Sequence, residues 1–226
     1  ISHTDLLTLA QDFIPKDIAG VYPESPLNAT IQVRGNIDSV AIDTMHVLMP
    51  KVAHLNASGH VCKPLEEQER VGEVLLSAKT MNLNFIKRYL QLTGVNIPSM
   101  TLSAKADIQG NTYKADALVR QGKGTVHTKA YVDLDNMAYE AKLFSNELNI
   151  ANFLPNDSIG RLTLHASVKG RGIEPYSKAT RFKGEVELKQ LEYKNLNVSN
   201  ARLGAMLKQG WASVDFICDN DILTAN

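Results

Sequence analysis

The sequence has no apolar run approaching the roughly 20 residues of a membrane-spanning helix. Its N-terminus also lacks the basic flank and apolar stretch of a secretory signal. The chain opens on Ile1 and stops at Asn226, soon after the strand-like segment 211–218. We therefore interpret it as an internal piece of a longer protein, and we expect any membrane anchor to lie outside it.

Cysteine and net charge are scarce as well. Cys62 and Cys218 are the only cysteines, which excludes a disulfide framework and a cysteine-based zinc cluster but leaves open whether the two pair. Lys plus Arg equals Asp plus Glu, 24 each, so no net field attracts the chain to nucleic acid or to an anionic membrane. With 226 residues, 44 % of them hydrophobic, the composition still predicts a folded protein.

Catalytic signatures are missing too, because the chain contains no HExxH, GxSxG, GxxxxGK or GxGxxG motif. The carboxylates fall mostly on water-facing strand positions or in turns, as Asp107, Asp116, Asp133, Glu185 and Glu187 do. We therefore predict a protein that is not an enzyme, with no catalytic residues and no cofactor. A carbohydrate-active β-sandwich is the enzymatic alternative, and it would need two convergent carboxylates.

What the sequence does contain is strict alternation of apolar and polar residues, which is typical of strands with one buried face. Short Gly, Asn and Asp connections at 109–111, 121–124 and 135–136 predict antiparallel hairpins between neighbouring strands. The predicted strands lie near 27–33, 40–49, 55–61, 74–79, 100–109, 113–119, 126–134, 137–143, 161–169, 182–188, 196–207 and 211–218.

Helical patterns are few and short. Thr4 can cap a helix that Pro15 ends, with the apolar stripe Leu6, Leu9, Ala10 and Phe13. A second helix is predicted over 84–93. Its segment 83–90 resembles 148–154, and each copy follows a predicted strand. This self-similarity predicts three units, 1–98, 99–158 and a truncated 159–226, within one continuous domain.

About a dozen strands with one apolar face must bury that face, and a few short helices cannot cover it. We predict a mainly β fold of repeated antiparallel meanders that form a curled, elongated sheet, a β-groove or half-pipe, with short helices at the unit boundaries. A β-sandwich is the alternative. Small residues on the apolar face, such as Ala104, Ala106 and Ala115, suit either solution.

The candidate site is the apolar face itself, whose Met and aliphatic residues can adapt to irregular lipid shapes. The lipid-facing candidates are Met100, Leu102, Ile108, Val126, Val132, Met137, Tyr139, Leu143, Leu162, Leu164 and Val168. His54, His60 and Cys62 share parity on one strand and would allow a metal pair. Because Asn56 and Ser58 lie between them, we interpret this row as a solvent face and predict no metal site.

The order of short helix, meander, L-N-x-x-x-(x)-[YF]-L helix and next meander resembles the AsmA/TamB superfamily of periplasmic proteins. The middle of the chain is similar to the TamB-like branch. The residues that carry the resemblance are Thr4-Asp5-Leu6-Leu7, the 33–40 stretch VRGNIDSV, the 55–61 stretch LNASGHV and the 106–115 stretch ADIQGNTYKA, followed by segments 124–126 and 139–143.

This resemblance implies a segment of an inner-membrane-anchored protein that crosses the periplasm. Its β-groove would hold or conduct the acyl chains of phospholipid between membranes. The alternative that it implies is a scaffold or chaperone module that assists outer-membrane protein assembly, with outer-membrane assembly proteins as partners. In that case an exposed strand edge would pair with a client strand.

Overall fold

A computed structural model describes residues 24–174, 176–194, 196–219 and 224–225. The helix predicted after Thr4 lies outside the described residues. The strands are β1 Asn28–Gly35, β2 Ser39–Met49, β3 Ala53–Cys62, β4 Val71–Thr80, β5 Met100–Gln109, β6 Thr112–Gln121, β7 Gly124–Asp133, β8 Ala138–Asn149, β9 Ile159–Arg171, β10 Arg181–Tyr193, β11 Leu196–Val198, β12 Ala201–Lys208, β13 Trp211–Asp219 and β14 Thr224–Ala225.

All of these strands belong to one antiparallel sheet in which, apart from β11, each strand pairs with the next along the chain. The order runs from β1 to β10 and on through β12, β13 and β14, while the short β11 pairs back onto β10. The path starts at β1 and ends at β14, so the sheet is open and not closed as a barrel. The predicted mainly β, meandering fold is confirmed, and the described residues form no second sheet of a sandwich.

Tight turns explain why the strands follow one another directly. Gly110 and Gly122 have φ values of 56° and 59° in the turns before β6 and β7, a backbone region that glycine adopts without a steric penalty. β2 and β8 each contain a register shift, between Ile42 and Met45 and between Ser145 and Leu148. Such bulges bend a strand and increase its twist.

The helix predicted over 84–93 ends already at Tyr89, and two predicted strands include residues that the structure places in a turn or a break. The segment 196–207 is not one strand but β11 and β12, separated at Asn200, whose φ of 54° is the left-handed conformation that Asn tolerates. Met137 does not begin a strand, because it lies in the turn before β8 with a φ of 51°. Its carbonyl oxygen accepts a hydrogen bond from the Gly172 N–H at 2.9 Å.

The connections lie along two margins of the sheet. The helix margin carries the β2–β3 turn, helix α1 Asn84–Tyr89 between β4 and β5, the β6–β7 turn, a single 3₁₀ turn at Ile150–Asn152 before β9, and the β10–β12 connection. The two similar segments 83–90 and 148–154 therefore both lie at the helix margin, the first after β1 to β4 and the second at the end of β5 to β8. A hydrogen bond of 2.7 Å from the Asn96 N–H to the Phe153 carbonyl links the segment that follows α1 to the residue that follows the 3₁₀ turn. The turn margin carries the β1–β2, β3–β4, β5–β6, β7–β8, β9–β10 and β12–β13 connections.

Candidate ligand-binding groove

One continuous apolar face crosses the sheet. Cross-strand partners in an antiparallel pair point to the same side, so the register identifies which residues share a face. The central row contains no charged residue, and Thr128 is its only polar side chain. The row is Ile31, Met45, Ala57, Leu76, Ala104, Ala117, Thr128, Leu143, Ala166, Val186, Leu203 and Phe216.

Small residues keep the floor of this face shallow. The row beside the central one contains Gly59, Ala106, Ala115, Ala130 and Ala141 on successive or nearby strands. A Cβ atom at Gly59 would lie 2.5 Å from the Glu73 carbonyl oxygen, so a larger residue does not fit there. The floor is therefore a broad surface of methyl groups and backbone, bordered by larger aliphatic side chains.

The described residues leave this apolar face partly exposed to water. Met49, Val52 and Cys218 are the only apolar residues of the described part with less than a tenth of their surface exposed. In the central row, Leu203 is 42 % exposed and Phe216 46 % exposed. Exposed apolar area costs roughly 25 cal/mol per Å² relative to burial. A hydrophobic ligand that covered this face would therefore gain free energy by removing exposed apolar area from water.

The face is concave where β7, β8, β9, β10 and β12 meet, and there it forms a depression of about 420 Å³. Its apolar lining includes Leu143, Val168, Phe182, Val186 and Leu203. Lys142, Ser167 and Glu185 also border it, but they alternate with the apolar residues along the strands, so their side chains belong to the opposite face. Five strands curl around this groove, whose surface is hydrocarbon.

Ten of the eleven predicted lipid-facing residues share this face. Met100, Leu102, Ile108, Val126, Val132, Tyr139, Leu143, Leu162, Leu164 and Val168 occupy connected register positions. Met137 is the exception, because it lies in the turn before β8 and is 46 % exposed. Contact of these residues with lipid remains a prediction.

Sequence reasoning missed the part of the groove that β10 and β12 form. Phe182, Val186 and Leu203 line the depression, although the predicted residues stop at Val168. The signal was present, because the segment 182–188 alternates in the same way as β9. Extending the same parity by one hairpin would have found these residues.

The opposite face is polar, and its charges pair with one another. Lys105 Nζ lies 2.5 Å from Glu73 Oε2 and 3.3 Å from Asp107 Oδ1. The hydrogen bond to Glu73 and then the one to Asp107 raise the pKa of Lys105. His127 Nε2 donates to Asp116 Oδ1 at 2.7 Å, which lowers the pKa of Asp116. Cross-strand ion pairs and hydrogen bonds therefore provide these charged side chains with partners within the protein.

A larger depression, about 640 Å³, lies on the polar face over β2 to β6. Asp43, Ser58, Ser103, Lys105 and Asp116 are among its lining residues. Asp43 pairs with Arg34 at 2.9 Å, and Lys105 and Asp116 have the partners given above. Because its charged groups already have partners, we assign the candidate site to the smaller, apolar groove.

His54, His60 and Cys62 share one face of β3, as their parity predicted, and residues of β2 contact two of them. His54 Nε2 lies 3.3 Å from His46 Nδ1 of β2, and that nitrogen lies 2.6 Å from Asn56 Oδ1. Cys62 Sγ lies 3.9 Å from Ser39 Oγ. No group of three or more His, Cys, Asp or Glu side chains suitable for a metal ion occurs among the described residues.

The two cysteines do not form a disulfide. Cys62 lies in β3 and Cys218 in β13, nine strand spacings apart along the sheet path. At about 4.8 Å per spacing this is several times the Cα separation that a disulfide allows.

Helix α1 has six residues, and no helix of the described part is long and apolar enough to span a membrane. Comparison of the chain with protein-family models, with curated proteins and with solved structures finds no match.

Proposed function

We propose that the apolar face is a lipid-holding groove, and that the chain is a non-catalytic segment of an AsmA/TamB-like cell-envelope protein. Its ligand would be the acyl chains of phospholipid, which the groove holds or conducts between membranes. The observation that carries the proposal is the uncharged central row over twelve strands, none of whose residues the described protein buries. A periplasmic location, with the membrane anchor in another part of the protein, follows from the same resemblance.

The groove fits an acyl chain better than a polar ligand. Its side chains offer almost no hydrogen-bond donors or acceptors, because Thr128 is the only polar residue that points into the depression. An extended hydrocarbon gains free energy in proportion to the apolar area removed from water, at about 0.8 kcal/mol for each buried CH₂ group. Such a ligand needs no specific side-chain geometry, which agrees with a long, repetitive surface.

A matched pair of leucine variants tests this proposal. Leu143 and Leu118 are both half-buried, but Leu143 lines the apolar groove and Leu118 lies on the polar face. After purification from a lipid-containing host, native mass spectrometry should detect phospholipid on the wild type and on Leu118→Glu. Leu143→Glu should lose most of it, because a carboxylate in hydrocarbon is strongly disfavoured.

Circular dichroism would verify that both variants keep their β structure. The proposal is wrong if the wild type carries no acyl species, or if the two variants lose lipid equally. A photoreactive benzoylphenylalanine at Val168 should also form lipid adducts, whereas the same group at the adjacent Ser167, on the opposite face, should not.

An exposed edge strand favours a second candidate function, assistance to outer-membrane protein assembly by strand pairing. All eight residues of β1 are exposed, and within the described part β1 pairs only with β2. An open edge of this kind is a template for another strand. Ile31→Pro should abolish capture of an outer-membrane strand peptide while phospholipid stays bound. Unchanged peptide capture would exclude β1 as the pairing edge.

A further inference from the structure

Three large apolar side chains are exposed at one corner of the turn margin, and we call them the apolar tips. Ile173 and Tyr176 lie in the β9–β10 loop and are 72 % and 97 % exposed, and Trp211 at the start of β13 is 82 % exposed. Large apolar side chains with this much exposure are unsatisfied in water. Tyr and Trp have an apolar ring and a polar tip, the combination that favours the interface between lipid and water.

A row of cations lies directly beside these tips. Arg171 of β9 pairs in register with Arg181 of β10, which pairs with Lys208 of β12, and Lys208 pairs with Trp211. In the next row on the same face, Lys169 lies between Glu140 of β8 and Lys183 of β10, whereas the row of Arg171, Arg181 and Lys208 places cations on three neighbouring strands with no acid between them. Like charges directly opposite each other destabilise a sheet. The sequence therefore tolerates an unfavourable arrangement at this corner.

Most cations of this corner have no direct ion pair in the described part of the chain. Hydrogen bonds from Asn136 and Lys142 lower the pKa values of Asp133 and Glu140, and Arg171 and Lys169 are near enough to lower these pKa values further. Within the described residues, no carboxylate oxygen lies within the 4.0 Å ion-pair distance of Lys169, Arg171, Arg181 or Lys208. Lys183 pairs with Glu185 at 2.7 Å, and the Arg171 Nε donates to the Asn136 carbonyl at 2.9 Å. The loop contributes one acid, Glu174, against one further cation, Lys178.

The five basic residues are among those that line a depression of about 320 Å³, whose surface is mostly hydrocarbon. Its lining residues are Lys169, Gly170, Arg171, Arg181, Phe182, Lys183, Met206, Leu207 and Lys208. Arginine binds phosphate oxygens through two parallel N–H donors, and lysine adds a point charge. The basic side chains at this depression can therefore donate to headgroup phosphates at its edge.

We propose that this corner, formed by Arg171, Ile173, Tyr176, Arg181, Lys208 and Trp211, docks onto the surface of an anionic phospholipid bilayer. The cations contact headgroup phosphates, and the three apolar tips enter the interfacial region. Arg171, Arg181, Lys208 and Trp211 alternate along their strands with the apolar-face residues Gly170, Phe182, Leu207 and Ala212, so their side chains lie on the face opposite the proposed lipid groove. Docking therefore uses other charged and aromatic side chains than lipid holding, although Phe182 borders both depressions.

Trp211 is the only tryptophan of the chain, so its fluorescence reports this corner directly. The protein is mixed with vesicles of phosphatidylcholine alone, or of phosphatidylcholine and phosphatidylglycerol in equal parts. With the anionic vesicles, the protein should co-sediment and the Trp211 emission should shift to shorter wavelength. Both effects should weaken as salt rises, because exposed charges are screened.

Two triple variants separate the contributions. R171Q/R181Q/K208Q should lower partition onto the anionic vesicles by on the order of a hundredfold at low salt, since each basic residue near an anionic surface contributes to binding. I173S/Y176S/W211S should lower partition and should also remove the residual binding at high salt, which depends on the apolar tips.

Two control variants match these changes elsewhere. K114Q/R88Q/R120Q removes the same charge from exposed cations away from the corner. I37S/L65S removes exposed tips, 72 % and 74 % exposed, from other loops of the turn margin. Both controls should bind like the wild type, and so should Leu143→Glu, which impairs only the proposed groove.

The proposal is wrong if the wild type stays in the supernatant with anionic vesicles, a result that would favour a protein partner for this corner. It is also wrong if K114Q/R88Q/R120Q lowers partition as much as R171Q/R181Q/K208Q, because binding would then follow net charge alone. Absence of acyl species from the wild type in the earlier test, with vesicle docking intact, would reject the groove and leave the docking corner supported.

Discussion

The two faces of this sheet are built from the same strands but are satisfied in different ways. On the polar face, Lys105 bridges Glu73 and Asp107, and Asp116 accepts from His127 and attracts Lys129 at 3.4 Å. On the apolar face, Val186, Leu203 and Phe216 remain 36 to 46 % exposed. Charged side chains of the polar face thus pair with one another, whereas apolar side chains of the opposite face remain partly exposed to water.

This difference teaches where a partner belongs. A folded chain normally buries its apolar surface against a second layer, and the described residues provide no such layer. The fold compensates in part through curvature, which brings side chains of five strands around one depression. A ligand that removes further apolar area from water would raise the free energy of unfolding by binding the native state.

The largest stability difference between the faces should appear at two glycines that pair with β10. A Cβ at Gly170 would lie 2.5 Å from Tyr139 Cζ and 2.6 Å from the Arg181 carbonyl oxygen, on the apolar face. The three atoms nearest to a Cβ at Gly204 would all belong to the carboxylate of Asp215, the mobile end of a polar side chain. Gly170→Ala should therefore lower the free energy of unfolding by about 1–3 kcal/mol.

Gly204→Ala is the matched control and should stay within about 0.5 kcal/mol of the wild type, because Asp215 can rotate away. Urea unfolding followed by circular dichroism measures both variants. Equal losses at the two positions would show that the faces are packed with the same tightness, which would remove the structural difference between them.

Much of the fold could be predicted because its determinants are local. Alternation along one strand fixes which residues share a face, and short turns restrict each strand to pairing with the next. The exceptions have local backbone causes: Met137 and Asn200 adopt positive φ values that end or interrupt strands. A side-chain pattern does not reveal such a conformation for a non-glycine residue.

The chemical character of the candidate site, an apolar sheet face, was predictable from the sequence, but the full set of residues that line the depression was not. Parity identified Leu143 and Val168, yet the depression also needs Phe182, Val186 and Leu203, which the curl of the sheet brings around it. Curvature depends on bulges and twist rather than on composition. Likewise, net neutrality excluded a general attraction to anions, but composition cannot reveal that Arg171, Arg181 and Lys208 are cross-strand neighbours.

Acid should weaken the polar face selectively. Hydrogen bonds from His127, Lys183 and Lys189 lower the pKa values of Asp116, Glu185 and Glu187 below their ordinary values of 3.8 and 4.5. A carboxyl group with a lowered folded-state pKa binds fewer protons in the native state than in the unfolded chain. Its stabilisation is present above the ordinary pKa and is lost as the pH falls through the folded value.

Urea midpoints measured from neutral pH down to about pH 3 should therefore decrease on acidification. The decrease should be smaller in the double variant Glu185→Gln/Glu187→Gln, which lacks two of the titrating groups. A midpoint that stays constant, or rises, as the pH falls would contradict the view that paired carboxylates stabilise this face.

The smallest effect should come from one exposed ion pair on the polar face. Lys105→Gln removes the contacts to Glu73 and Asp107, but the Lys105 side chain is 46 % exposed, so water and ions compensate for most of the loss. Its thermal midpoint should fall less than that of Gly170→Ala, and the shift should disappear at high salt because exposed pairs are screened. A shift that persisted at high salt, or exceeded that of Gly170→Ala, would mean that the polar face depends on single pairs, whereas a redundant cross-strand network tolerates the loss of any one of them.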